Sequence, residues 1–235
     1  MALILNIETA TEVCSVALSN EKGLVDLREN VEGKSHASLL TAFVEDILKS
    51  NNVSAKQLDA IAVSEGPGSY TGLRIGVSAA KGLCYGIGKP LISVSTLQSI
   101  VYGYLGQLSE AEKVALKSTW FCPMIDARRL EVYTAFFDID GKFISKIAAD
   151  IIDETSYSQE LSERKIVFFG NGSAKCKALI RNANAVFVSG FCLSAKDMIQ
   201  LSQQEFSNKN FKDVAYFEPH YLKEFVATTP KNKVI

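Results

Sequence analysis

Two carboxylates sit where they could hold a metal-bound phosphate. Glu8 ends the apolar run "ALILNIE", and Asp126 closes "FCPMID"; each precedes a short turn and a second apolar run. A carboxylate at a strand end can bind a hard cation that in turn holds phosphate. It can equally cap the turn by accepting a backbone N–H, and both readings stay open for both residues. Two glycine turns accompany the acids, "GPGS" at 66–69 and "GNGS" at 170–173. A helix opening after such a turn offers free N–H groups to an anion. The first turn is not a Walker A, since no lysine follows at the required spacing. It is not a dinucleotide fingerprint either: Gly66, Gly68 and Gly72 leave Thr71 where the third glycine belongs.

Other chemistry is sparse. The two histidines, His36 and His220, make no HExxH and no zinc-chelating pair at helical spacing. Neither adjoins a serine or cysteine in a nucleophile motif, and His36, at the start of an expected helix, reads as a surface or capping residue. The five cysteines (Cys14, Cys84, Cys122, Cys176, Cys192) form no CxxC and read as reduced, with no structural metal. A net charge of -1 supplies no field for nucleic acid. Any RNA role must therefore be shared with another protein. The start, "MALILNIETA", has no basic region and meets an acid at Glu8, so it reads as a strand rather than a signal peptide. Residues 90–109 are uncharged but too rich in Ser, Thr and Gln for a membrane span. A soluble, cytoplasmic protein with no membrane contact is expected.

The elements that must position these residues come in a repeating order. With 235 residues and 47% hydrophobic content, the chain can form one large domain or two small ones. "ALILNIE", "EVCSVALS" and "LVDLRENV" read as strands, the last two by alternation. A helix is predicted over 35–51, where Leu39, Leu40, Phe43, Val44, Ile47 and Leu48 recur at helical steps. The strand "LDAIAVS" then leads through the first glycine turn into a second helix. After a polar boundary at 107–117, "FCPMIDA", "LEVYTAFFD" and "FISKIAADII" read as strands. A short helix at 156–163, the strand "KIVFFG", a helix from 173, the strand "NAVFVS" and an amphipathic helix over 194–206 follow, and the tail "VAYFEPHYLKEF" reads as packed coil. "NIETATEVCSVAL" echoes "MIDARRLEVYTAFF", and "GPGS" echoes "GNGS", each between a strand and a helix. These echoes predict duplication. Glu12 to Glu131 spans 119 positions but Gly66 to Gly170 only 104, so the second copy must lack residues, and its shorter helix supplies the deficit. The expected fold is α/β, a duplicated actin/hexokinase-like (ribonuclease H-like) two-lobe fold with mixed sheets, divided into residues 1–106 and 107–235.

The helix after "GPGS" is the most informative. Gly72, Gly76 and Ala80 make a ridge of small residues, with Ile75, Ala79 and Leu83 as an apolar stripe beside it. Between residues 72 and 87 the only charges are Arg74 and Lys81. Each interior glycine costs on the order of 1 kcal/mol against alanine, which close approach of another element would offset. Burial within its own lobe is one reading. The preferred one is a surface for a second chain, with Leu39, Leu40 and Phe43 contributing, and Gly76→Arg is then expected to abolish pairing without unfolding the monomer.

"IETATEVCSVAL", "GPGSYTGLRIGVSAAKGLC", "ISVSTLQSI", "MIDARRLEVY" and "EPHYL" together resemble the TsaB (YeaZ) family, over nearly the whole chain. The resemblance implies a duplicated actin-like fold and a non-catalytic scaffold that pairs with the paralogue TsaD. TsaD transfers threonylcarbamoyl to adenosine 37 of tRNA, and an ATPase, TsaE, joins the pair. Partners are then a TsaD-type paralogue, a TsaE-type ATPase, a second copy of the chain in isolation, and tRNA only through the complex. Where TsaD has a metal-binding HxxxH, this sequence has Thr96 and Ile100, and Ser95 with Gln98 reads as a capping box. Glu8 stands where family members usually carry Asp. Glu8, Asp126, Gly170 and Gly172 form a vestigial nucleotide set, and the expected cofactor is none beyond weak ATP or ADP binding. The alternative is an ATP-binding, sugar-kinase-like phosphotransferase built on the same residues. A glycoprotease role is disfavoured, because metal ligands and a nucleophile constellation are missing.

Overall fold

The structure is a computed structural model that describes residues 2–32 and 36–223. Strands β1 (Ile4–Glu8), β2 (Cys14–Asn20) and β3 (Gly23–Asn30) form an antiparallel meander. Helix α1 (His36–Ser50) leads to β4 (Ala60–Gly66), parallel to β1; α2 (Tyr70–Ile87) leads to β5 (Leu91–Ser95), parallel to β4. The sheet order is β3-β2-β1-β4-β5.

After α3 (Thr96–Leu105) and α4 (Glu110–Ala115) the plan recurs. Strands β6 (Trp120–Asp126), β7 (Glu131–Thr134) and β8 (Ala148–Ile151) are antiparallel. Then α5 (Ser158–Glu163), β9 (Ile166–Phe169), α6 (Ser173–Cys176) and β10 (Ala185–Phe187) follow, with β9 parallel to β6 and β10 parallel to β9. This sheet runs β8-β7-β6-β9-β10, the first order with each strand replaced by its counterpart. The fold is thus a duplicated two-lobe α/β fold. Helix α1 has 15 residues where α5 has 6, which accounts for most of the shortening.

Alternation decides the layers. In the first sheet Leu5, Ile7, Val16, Leu18, Ile61 and Val63 face α1 and α2, while Ile4, Ala17, Ala60, Ala62, Ile92 and Val94 face the opposite way. The helices on that second face are exchanged. Met198, Ile199 and Leu201, at the start of α7 (Ile199–Ser207) and in the turn before it, cover the first sheet. Leu97, Ile100, Val101 and Leu105 of α3 cover Phe121, Ile125, Val167 and Phe169 of the second sheet. α3 also packs on the 195–198 turn, so the two sheets enclose a shared helical layer. A buried polar pin holds α7 in register: Ser202 Oγ donates to Asn6 Oδ1 at 2.6 Å, and Asn6 Nδ2 donates to Ser19 Oγ at 2.9 Å.

Several local expectations change. The polar segment 107–117 contains α4, capped by Ser109 and Glu112 in a reciprocal box. The strands expected over "LEVYTAFFD" and "FISKIAADII" shrink to β7 and β8, because Phe136 and Phe137 turn inward to pack and the chain bends back, Ile144 N–H reaching Phe136 O at 2.8 Å. The helix expected from 173 stops after four residues. Ser35, placed at the start of the first helix, lies outside the described residues. The segment 214–223 is coil, with Val214 and Phe217 packed on the first core.

Candidate docking face and the two strand-end acids

Helix α2 starts from Ser69, whose hydroxyl accepts the Gly72 N–H at 3.2 Å, and ends at Gly88 in the left-handed region (φ 66). The ridge of Gly72, Gly76 and Ala80 was expected to face a partner chain. It faces inward. A Cβ on Gly72 would collide with the Thr9 carbonyl, and one on Gly76 with the Thr9 hydroxyl. Thr9 Oγ1 donates to Gly72 O at 2.8 Å, so the glycines let α2 lie directly on the turn after β1. Leu40 is likewise buried, at 1% exposure. The expectation for Gly76→Arg fails with it, since an arginine there has no room in the folded chain.

What the two helices present outward is a different set. Leu39 and Phe43 of α1, with Ile75, Ala79 and Leu83 of α2, are half-buried at the edge of the first core. Ser78, two residues from Gly76 and thus roughly 200° round the helix, is exposed, as are Gly82 and Gly86, which have open space before them. Tyr85 is 87% exposed. The sequence signal was there in the second small-residue series, Ser78, Gly82 and Gly86, but nothing in it says which series faces the home sheet.

The strand-end acids lie in contrasting settings. Glu8 is fully buried; its Oε1 accepts the Ala10 N–H at 2.6 Å and the Ser64 hydroxyl at 2.9 Å, while Oε2 has no partner. Burial pushes its carboxyl up to about 7, against the pull of those hydrogen bonds, and the charge of Asp197 adds to the rise. Asp197 is itself pushed up to about 6, chiefly by burial, and accepts the Ser194 N–H at 2.9 Å. Asp126 is half-exposed: it accepts the Arg128 N–H at 2.8 Å and pairs with Lys175. Lys175 also donates to the Glu131 carbonyl at 2.6 Å. Both acids therefore cap their turns.

Gly170 and Gly172 belong to the turn beside Asp126. The Gly172 N–H donates to Met124 O at 2.9 Å, and Gly170 O accepts the Ser173 hydroxyl at 2.8 Å. Between them Asn171 accepts the Asp126 N–H through Oδ1 and donates through Nδ2 to Glu12 Oε2 at 2.6 Å, which joins the second turn to the first hairpin. Thr96 and Ile100 are both buried, and Thr96 Oγ1 accepts the Gly66 N–H at 3.1 Å. Ser95 caps α3, yet the expected box is incomplete: Gln98 Nε2 reaches across to Gly141 O at 3.0 Å. His36 Nε2 lies 3.0 Å from Thr11 O, against the first hairpin. Cys14, Cys84, Cys122 and Cys176 are buried and unpaired, and Cys192 is exposed. Among the described residues no cluster of three His, Cys, Asp or Glu could hold a metal, and no helix is long and apolar enough to cross a membrane.

Two matching sheets with exchanged helices, each central strand ending in an acid beside a glycine turn, define a duplicated actin-like protein. One solved structure of this architecture, titled an activator of the 2-hydroxyisocaproyl-CoA dehydratase from Clostridium difficile with bound ADPNP, aligns over 90% of this chain and 98% of its own with TM-score 0.50 and 10% identity. A family model described as TsaD, tRNA N6-adenosine threonylcarbamoyltransferase, matches residues 30–232. The tRNA threonylcarbamoyladenosine biosynthesis protein TsaB of Escherichia coli is 33% identical over 95% of this chain and 96% of its own length. YeaZ from Pseudomonas aeruginosa has the same fold, with TM-score 0.80 at 24% identity over 94% of this chain and 100% of that one. The chain belongs to the TsaB (YeaZ) family of tRNA threonylcarbamoyladenosine biosynthesis proteins.

Proposed function

We propose that this chain is a non-catalytic scaffold that pairs with a TsaD-type paralogue through the outer face of α1 and α2, for threonylcarbamoylation of adenosine 37 in tRNA. The observation that carries the reading is that face: half-buried Leu39, Phe43, Ile75, Ala79 and Leu83 beside Ser78 and Gly82, small enough to let another helix approach closely. A TsaE-type ATPase joins the pair, tRNA is engaged only through the complex, and the work takes place in the cytoplasm. Without its partner the chain pairs with a second copy through the same face. No cofactor is required, and weak ATP or ADP binding is left to Asp126, Gly170 and Gly172, since Glu8 of the expected set is sealed from solvent.

Size-exclusion chromatography with light scattering tests this. A one-to-one complex with the TsaD-type paralogue is expected. Ser78→Arg abolishes it with a thermal melt unchanged to within about 2 °C, because the new side chain points into open solvent in the free protein. Undiminished pairing by this variant overturns the assignment of the face, and no complex under any nucleotide condition overturns the scaffold reading. Magnesium-dependent ATP turnover by the isolated chain would then favour the phosphotransferase alternative.

A further inference from the structure

After α7 the described chain runs back along the first half. The Lys212 N–H donates to Leu91 O at 2.8 Å, an antiparallel bridge on the edge strand β5. Val214 and Phe217 pack on the first core, and Lys81 of α2 clamps the segment by donating to the carbonyls of Ala215 at 3.1 Å and Phe217 at 2.9 Å. Beyond this anchor the chain passes over the first glycine turn. The His220 N–H donates to Glu65 O at 2.6 Å, its carbonyl lies 2.8 Å from where a Cβ on Gly66 would be, and the Tyr221 ring sits 5.0 Å from that of Tyr70. Lys223 then pairs with Glu131, the first residue of β7 in the other half.

The two ends of this segment are held unequally. The anchor is made of backbone hydrogen bonds, buried apolar side chains and a lysine shared by two carbonyls, none of which salt readily disturbs. The far end is an ion pair between Glu131, 17% exposed, and Lys223, 41% exposed, whose solvent-facing ammonium leaves the pair open to screening by salt. Beside it, the exposed Asn171 to Glu12 hydrogen bond is another polar link at the glycine turns. We propose that residues 212–223 are a latch: fixed to the first half, they hold the second half closed over the glycine turns through Lys223 and Glu131, and release it while the anchor stays in place. The latch belongs to the chain itself, whatever docks on α1 and α2.

Hydrogen exchange of the full-length protein, read by mass spectrometry, tests it. Lys223→Gln is expected to raise exchange about fivefold or more in residues 64–70 and 128–134, leaving 77–87 unchanged. Lys223→Arg, which keeps the charge, retains parental protection, and raising salt to about 0.5 M reproduces the glutamine pattern in the parent. Unchanged exchange in both segments overturns the latch. So does an increase confined to 218–223, which is fraying of a tail that ties nothing.

Discussion

Glu8 and Asp126 occupy one position in the two halves, the last residue of the central strand before its hairpin turn. Their fates follow from the layer each side chain faces. In the first half Glu8 alternates away from α2: with Ser15 and Ser64 it faces the 195–198 turn that carries Asp197, and it is sealed from water there. In the second half Asp126 shares the face of Cys122 and Met124, toward α6, which lasts four residues. Asp126 stays 49% exposed there and is met by a cation from α6. Burial thus raises the affinity of one carboxyl for its proton, whereas the other stays open to solvent beside a lysine. A duplicated frame keeps its strand order while the layer a strand-end side chain faces sets its chemistry.

The largest expected effect strikes the close packing of α2 in the first half, which the four-residue α6 lacks. Gly76→Arg forces a long charged side chain between α2 and Thr9, and overpacking together with a buried unpaired charge costs more than about 4 kcal/mol. The outcome is a chain that fails to fold, seen as loss of the cooperative thermal transition. Ala174→Arg, on the exposed side of α6, leaves the melt within about 2 °C of the parent. A folded Gly76→Arg protein would mean that α2 stands off its sheet and that the ridge faces outward after all.

The buried acid gives the next largest effect. A carboxyl raised from 4.5 to about 7 binds its proton more tightly folded than unfolded. Its stabilising contribution is therefore complete below pH 4.5 and is lost as pH rises through 7, about 3 kcal/mol in all. Glu8→Gln keeps the shape without the titration. Urea unfolding of variant and parent at pH 4.5 and pH 8 should show the variant gaining about that amount relative to the parent on going to the higher pH. A constant difference would mean that Glu8 is solvated.

Much of this frame was legible in the sequence, for reasons that also mark the limit. Alternation in "EVCSVALS" and the paired echoes of hairpin and glycine turn pointed to two copies of one sheet, because side-chain period and turn chemistry are local. The exchange of α3 and α7 between sheets is not local: both helices carry an apolar face, and either sheet could accept it. The same holds for α2, apolar on most of its circumference, where the sequence offers two series of small residues and only the packed structure says that Gly72 and Gly76 belong inside. The acids were found by position, but the burial of Glu8 depends on the distant 195–198 turn and the pairing of Asp126 on Lys175, two residues beyond a turn whose serine drew attention first.

The smallest effect sharpens the contrast from the other side. Lys175 bonds Asp126 and the Glu131 carbonyl at a surface where both charges are partly solvated. Such pairs contribute on the order of 0–1 kcal/mol. Lys175→Ala should lower stability by no more than about 1 kcal/mol at low salt, and the loss should shrink at about 0.5 M salt as the ions screen the pair in the parent. Urea midpoints at the two salt concentrations measure it. The pH-dependent term of Glu8 should persist at both, because no solvent reaches that carboxyl. A Lys175 effect as large and as salt-independent as the one at Glu8 would mean that solvent is kept from Asp126 as it is from Glu8, and the difference between the halves would disappear.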